Sequence, residues 1–127
     1  MNKDMQLSMI TLPVDDVARV KAWYVEQLDM DLVSEKLDEV VVTGANGFAI
    51  QFVSGHPLDH PERVHLRFHA ADVDNLFRRM HDRGIPFVMQ PHKTASGLKI
   101  ASAHDPAGHT VDIFEIEEKA LKEALTV

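Results

Sequence analysis

The sequence predicts an α+β protein made of two βαβββ modules, because one pattern of strand and helix signals occurs twice. An alternating run ending in Asp-Val opens each copy, and 56 residues separate Met9 from His65. Further along, Gly47–Val53 maps onto Gly108–Phe114 at a constant spacing of 61 residues. We therefore expect two curved mixed sheets that surround a cleft.

The first module is predicted over residues 1–53. Residues 5–14 alternate, and the side that carries Ile10, Leu12 and Val14 is the apolar one, so a helix should cover it. Asp15 or Asp16 suits the N-cap of that helix, which should run to about residue 28. Three strands follow, around residues 32–33, 40–42 and 48–53, and Asn-Gly at 46–47 favours a hairpin between the last two.

The second module is predicted over residues 63–116, after a linker at 54–62 that contains two prolines and a glycine. Gly84 should end its helix with a left-handed cap. The tail at 117–127 is rich in helix formers and predicts a short C-terminal helix. The elements expected between linker and tail are a strand at 63–69, a helix at 72–83, and strands at 86–90, 98–104 and 109–116.

Composition restricts the partners that we expect. The formal charge of −7 and the lack of clustered Lys and Arg argue against nucleic acid. The absence of cysteine excludes disulfides and thiol chemistry, and no apolar run is long enough for a signal peptide or a membrane span. The sequence predicts a soluble cytoplasmic protein that folds, at 127 residues, as one compact domain overall.

The strand faces turned away from the helices hold the candidate site, because strand side chains alternate. If the sheets curl, the polar members of this set should converge on a small molecule, with the apolar members as walls. Arg67 is the expected anchor for an anionic or carbonyl group, whereas Asp112 suits a cation or a hydroxyl. The predicted ligand contacts are Met9, Thr11, Gln51, His65, Arg67, His69, Asp112 and Phe114.

These features resemble the vicinal oxygen chelate superfamily, which includes glyoxalase I, methylmalonyl-CoA epimerase, extradiol dioxygenases and bleomycin-resistance proteins. The resemblance rests on the paired modules, the strand-Asp-helix openings and the Asp-Pro-Ala-Gly turn at 105–108, and it covers about residues 7–116. It implies the fold and several possible chemistries rather than one reaction. It also implies a two-fold symmetric homodimer.

In metal-using members of that superfamily, each opening strand and each closing strand supplies one ligand. The matching positions here are Met9, Gln51, His65 and Asp112. Gln51 is similar to its counterpart in the epimerase, whereas Met9 departs from the usual His or Gln and Asp112 is shorter than the usual Glu. A thioether is a soft donor that suits these ions poorly, so the resemblance implies either no cofactor or a divalent ion on Gln51, His65 and Asp112.

Two functions follow as alternatives. The first is a bleomycin-resistance-like binding protein that holds a small molecule without a complete metal site. The second is a divalent-metal-dependent lyase, epimerase or dioxygenase, in which Asp112 is the catalytic proton carrier. Glutathione-specific glyoxalase I is disfavoured, because that enzyme has an Arg four residues after its first ligand and this chain has Pro13 there.

Structural interpretations of the same residues remain open. His65 and Asp112 are also compatible with a mutual hydrogen bond in a polar cleft. Arg67 and His69 are compatible with partly exposed strand positions that pair with carboxylates. His104 and His109 flank the last turn, and we expect both to be solvated.

Overall fold

In a computed structural model of the chain, residues 3–116 are described, and they divide into two compact units. The first module extends to Asp59 and the second begins at His60. The division falls inside the predicted linker. The C-terminal helix predicted at 117–127 lies outside the described residues. No helix within residues 3–116 is long and apolar enough to cross a membrane.

The first module is a four-stranded mixed sheet in the order β1-β4-β3-β2, in which only the β1 and β4 pair is parallel. The predicted helix is shorter than expected in its α-helical part. It continues as a π-helical turn, in which the Leu28 N–H donates to the Trp23 carbonyl. The elements are β1 Met9–Val14, α1 Val17–Ala22, the π turn Trp23–Gln27, β2 Asp31–Lys36, β3 Glu39–Thr43 and β4 Ala49–Ser54.

The second module repeats this arrangement as β5-β8-β7-β6, again with one parallel pair, β5 and β8. A 3₁₀ turn precedes its first strand. Gly84 adopts φ 89°, as the predicted left-handed helix end requires. The elements are the turn Pro61–Arg63, β5 His65–His69, α2 Val73–Asp82, β6 Phe87–Lys93, β7 Leu98–His104 and β8 Thr110–Ile116.

Strand register confirms the duplication. Met9 pairs with Ala49 and His65 pairs with Thr110, so the spacings of 56 and 61 residues superpose the parallel strand pairs residue for residue. Both outer strands, β2 and β6, also bulge at the equivalent point, between Leu32 and Ser34 and between Phe87 and Met89. A bulge twists an edge strand and discourages further pairing along it.

Each helix begins at an aspartate cap and covers the apolar face of its sheet. The Asp16 carboxylate accepts the Arg19 N–H at 3.1 Å, and Asp72 accepts the Asn75 N–H at 3.0 Å. The helix side chains that pack on the sheets are buried, among them Val20 and Tyr24 in the first module and Val73 and Met80 in the second. Met9, Thr11, His65, Arg67 and His69 therefore lie on the opposite faces.

Candidate functional site

Strands β5 and β8 bring five of the predicted site residues together within the second module. Arg67 is the register partner of Asp112, and His69 is the partner of Phe114. His65 lies two residues before Arg67 on β5 and pairs with Thr110 of β8. Because residues two apart along a strand share a face, these side chains form one continuous polar and aromatic surface.

The carboxylate of Asp112 is the centre of this surface and accepts three hydrogen bonds. Its Oδ2 lies 2.8 Å from His65 Nδ1 and accepts Arg67 Nε–H at 3.0 Å. Its Oδ1 accepts the hydroxyl of Ser102 at 2.5 Å. Both oxygens are therefore satisfied by protein donors, as expected for a buried carboxylate.

Exposure differs sharply between the acid and its two basic partners. The Asp112 side chain is 2% exposed, whereas the His65 side chain is 47% exposed and that of Arg67 is 50% exposed. The carboxylate is thus a buried group that orients the side chains of His65 and Arg67, and these two side chains are exposed to solvent. The mutual hydrogen bond of His65 and Asp112, left open by the sequence, is present.

Ser102 is a member of this cluster that sequence reasoning missed. It lies on β7, pairs with Asp112 in the register and is 6% exposed. The repeat contained a signal, since the spacing of 61 residues places Ser102 where the first module has Val41. A hydroxyl replacing an apolar side chain next to a predicted acid indicates a hydrogen bond.

In the first module the equivalent positions hold a neutral pair, Thr11 and Gln51, and a hydrogen-bond relay runs from this pair to Glu39. Thr11 pairs with Gln51 in the register, and its hydroxyl donates to Gln51 Oε1 at 2.7 Å. Gln51 Nε2 donates to Glu39 Oε2 at 3.2 Å, and Glu39 was also missed from the sequence. Met9 is 45% exposed on the same face. The first module thus places an amide where the second has a carboxylate.

The donors that the superfamily resemblance implies for a metal do not fit one in this arrangement. Asp112 Oδ2 already faces the Arg67 guanidinium, whose positive charge opposes a second cation. Gln51 Oε1 accepts from Thr11, and the bond of His65 Nδ1 to Asp112 leaves only the Nε2 atom of His65 as a ring donor for an ion. Within residues 3–116 no group of three or more His, Cys, Asp or Glu side chains is placed to hold an ion.

The ring pair of His69 and Phe114 adjoins the charged cluster. Their centroids are 5.4 Å apart with the planes inclined by 57°. Phe114 follows Asp112 on the same face of β8, so an aromatic wall lies next to the guanidinium.

His109 is buried, and its predicted solvation is wrong. It is 1% exposed, and its Nδ1 lies 2.7 Å from Asp105 Oδ2. Asp105 Oδ1 also accepts the backbone N–H groups of Ala107 and His109, both at 2.9 Å. This pair fixes the turn between β7 and β8, whereas His104 is exposed as expected.

A separate cavity of about 410 Å³ lies in the second module, between the end of α2 and the start of β6. Phe77 and Phe87 meet edge to face at its wall, with ring centroids 4.7 Å apart. None of the predicted site residues lines it. The lining residues are Phe77, His81, Gly84, Ile85, Pro86, Phe87 and Gln90.

Paired βαβββ modules with a polar face on their first and last strands define a glyoxalase-like class of protein. A model of the Glyoxalase/Bleomycin resistance protein/Dioxygenase superfamily matches residues 6–113. The chain belongs to this superfamily, which confirms the resemblance and the fold predicted from the sequence. No curated protein matches the chain.

Solved structures share the fold at low sequence identity. A lactoylglutathione lyase from Agrobacterium tumefaciens is 19% identical with a TM-score of 0.73, covering 90% of this chain and 96% of its own. A glyoxalase/bleomycin resistance protein/dioxygenase from Nocardioides is 16% identical with a TM-score of 0.78, covering 93% and 88%. TnmS3, an antibiotic binding protein from a Streptomyces species, is 21% identical with a TM-score of 0.75, covering 92% and 100%. At these identities the likeness concerns the fold alone.

Proposed function

We propose that this protein binds a small molecule on the strand face that carries His65, Arg67, His69, Asp112 and Phe114, without a complete metal site. The observation that supports this most is the Asp112 carboxylate, which is buried while it holds two half-exposed donors in place. Side chains oriented before binding lose less conformational entropy when a ligand arrives. The other predicted contacts, Met9, Thr11 and Gln51, lie on the equivalent face of the first module and remain a prediction.

The geometry of Asp112 favours binding over catalysis. A catalytic base must come within hydrogen-bond reach of the substrate proton, and Asp112 is 2% exposed with both oxygens accepting from Arg67, His65 and Ser102. A metal-dependent lyase, epimerase or dioxygenase would need this carboxylate to exchange those partners for an ion. The antibiotic binding protein from Streptomyces shows that a protein of the same fold can have a binding role.

A thermal-shift screen of a small-molecule library tests the proposal. We expect hits that stabilise the wild type with or without divalent ions and stabilise Arg67→Ala and Asp112→Asn less. Arg78→Ala is the matched control, because Arg78 is an exposed arginine on α2 of the same module. Hits that stabilise all four proteins equally would place binding elsewhere, and hits that require a divalent ion would favour the enzyme alternative.

We also propose that the protein is a homodimer. Exposed apolar side chains lie along the outer strands of both modules, with Val33 and Val88 each 60% exposed at the equivalent bulges. Large exposed apolar side chains on an edge strand can pack against a second copy of the chain, and most small assemblies have two-fold symmetry. Light scattering should give twice the chain mass of 14.3 kDa, and a mass of one chain at micromolar concentration would reject the dimer.

A further inference from the structure

The strand face of the second module carries an acid, Asp112, but the charge that it exposes to solvent is positive. The strands of this module contain only two acids, Asp112 and Glu115. Glu115 accepts the Val73 N–H at 3.1 Å, so it serves the start of α2 on the other side of the sheet. Asp112 is covered by the three donors described above. Among the strand residues described for this module, the charged group that this face exposes to solvent is the Arg67 guanidinium, in a protein of formal charge −7.

From this we infer that the ligand of the proposed site is an anion, a carboxylate or similar oxyanion attached to a flat apolar body. The inference rests on the proposed function and names its ligand class. It extends the expectation that Arg67 anchors an anionic group. It departs from the expectation that Asp112 would suit a cation or a hydroxyl, because the charge of Asp112 already holds Arg67 and His65.

The unused donors of Arg67 supply the anion contact. A guanidinium has five N–H donors, and Arg67 uses Nε on Asp112. The terminal Nη groups make no hydrogen bond within the described residues, and their planar spacing matches the two oxygens of a carboxylate. A buried acid behind an arginine also fixes the guanidinium plane, so the fork is ordered before the ligand binds.

The aromatic pair supplies the contact for the apolar body. Phe114 and His69 lie two residues beyond Asp112 and Arg67 on their strands, a step of roughly 7 Å. That step is close to the separation between the carboxylate and the far edge of an aromatic ring in a simple aryl acid. A planar anion can therefore meet both groups at once.

The test compares three probes of similar size that differ in charge. Benzoate and benzamide share a planar shape, and the benzylammonium ion carries the opposite charge. Each is titrated into the full chain, with amide chemical shifts to locate the contact and calorimetry to measure the affinity. We expect shifts along β5 and β8, and benzoate binding about tenfold tighter than benzamide, since charge-assisted hydrogen bonds are roughly twice as strong as neutral ones. Benzylammonium should bind most weakly, and added salt should weaken benzoate alone.

Variants assign the effect to the guanidinium. Arg67→Gln should remove the advantage of benzoate over benzamide, and Arg78→Gln, with the same change of charge, should keep it. If Arg67→Gln does not fold, Arg67→Lys replaces it and should bind benzoate more weakly than the wild type, because a point charge lacks the planar fork.

Each outcome decides between the two proposals. Benzamide or benzylammonium binding to β5 and β8 as tightly as benzoate would overturn the anion inference and leave the proposed site intact. Shifts confined to the cavity at Phe77 and Phe87, or no shift at the solubility limit of any probe, would overturn both. Benzoate affinity that survives in Arg67→Gln would also reject the anion inference.

Discussion

The two modules share one backbone plan and differ in the chemistry at its centre. The first module places Gln51 opposite Thr11, and the second places Asp112 opposite Arg67, at equivalent register positions. The neutral pair is partly exposed and continues to Glu39, whereas the charged cluster buries its carboxylate. The duplicated fold therefore keeps the backbone position and changes the side-chain chemistry that stands there.

The largest difference should appear at the turns that precede the closing strands. Asp105→Ala removes the acceptor for two backbone N–H groups and leaves the buried His109 ring without this partner, which should cost about 3 kcal/mol or more of unfolding free energy. In the first module, Asn46→Ala removes one exposed bond to the Phe48 N–H and should cost less than about 1 kcal/mol. Urea denaturation measures both, and equal costs would show that the buried pair adds nothing.

The next effect concerns the central residues themselves. Asp112→Ala should destabilise the protein by about 2 kcal/mol, because the buried Ser102 hydroxyl loses its acceptor and the basic partners lose their counter-charge. Gln51→Ala leaves only partly exposed partners, which water can satisfy, and should cost under about 1 kcal/mol. Urea denaturation measures both costs. If Gln51→Ala lowers the unfolding free energy more than Asp112→Ala does, the relay of the first module contributes more to stability than the cluster of the second.

Metal binding separates the two modules in another way. If Arg67 in the second module opposes cations, Arg67→Gln should bind Ni²⁺ or Zn²⁺ about tenfold more tightly than the wild type, since a like charge has been removed from beside Asp112. Thr11→Val changes the equivalent register position of the first module and should leave the affinity unchanged. Calorimetric titration of the two variants and the wild type measures this. An affinity that Arg67→Gln does not raise would show that the guanidinium is not what opposes the ion.

The smallest difference between the two modules is expected at two equivalent glycines. Gly47 has φ 80° and Gly108 has φ 93°, a region that side chains disfavour, so alanine at either position should cost about 1 kcal/mol. A Cβ at Gly108 would also lie 3.0 Å from Pro61 Cγ, whereas a Cβ at Gly47 would meet nothing within 4 Å. Gly108→Ala should therefore have the lower melting temperature of the two, and the reverse order would mean that Pro61 yields without cost.

Much of the architecture was determined by the sequence alone. The 56- and 61-residue spacings predict which strands are equivalent, and the observed register follows them. Asp16, one of the two predicted caps, begins the first helix, and Asp72 does the same 56 residues later, because an N-cap acts within three residues of itself. The alternation of β1 likewise identifies the face that α1 covers, since side-chain direction along a strand is a local property.

Only the tertiary structure decided which charged and polar side chains surround each predicted site residue. Asp112 and Arg67 are 45 residues apart in the chain, and the residue types do not reveal whether the acid faces solvent or is covered by its neighbours. The same holds for Ser102 and for His109, whose burial was not foreseen. Burial and hydrogen bonding depend on which side chains from distant strands meet and on how much water they exclude, and these are properties of packing rather than of any local pattern.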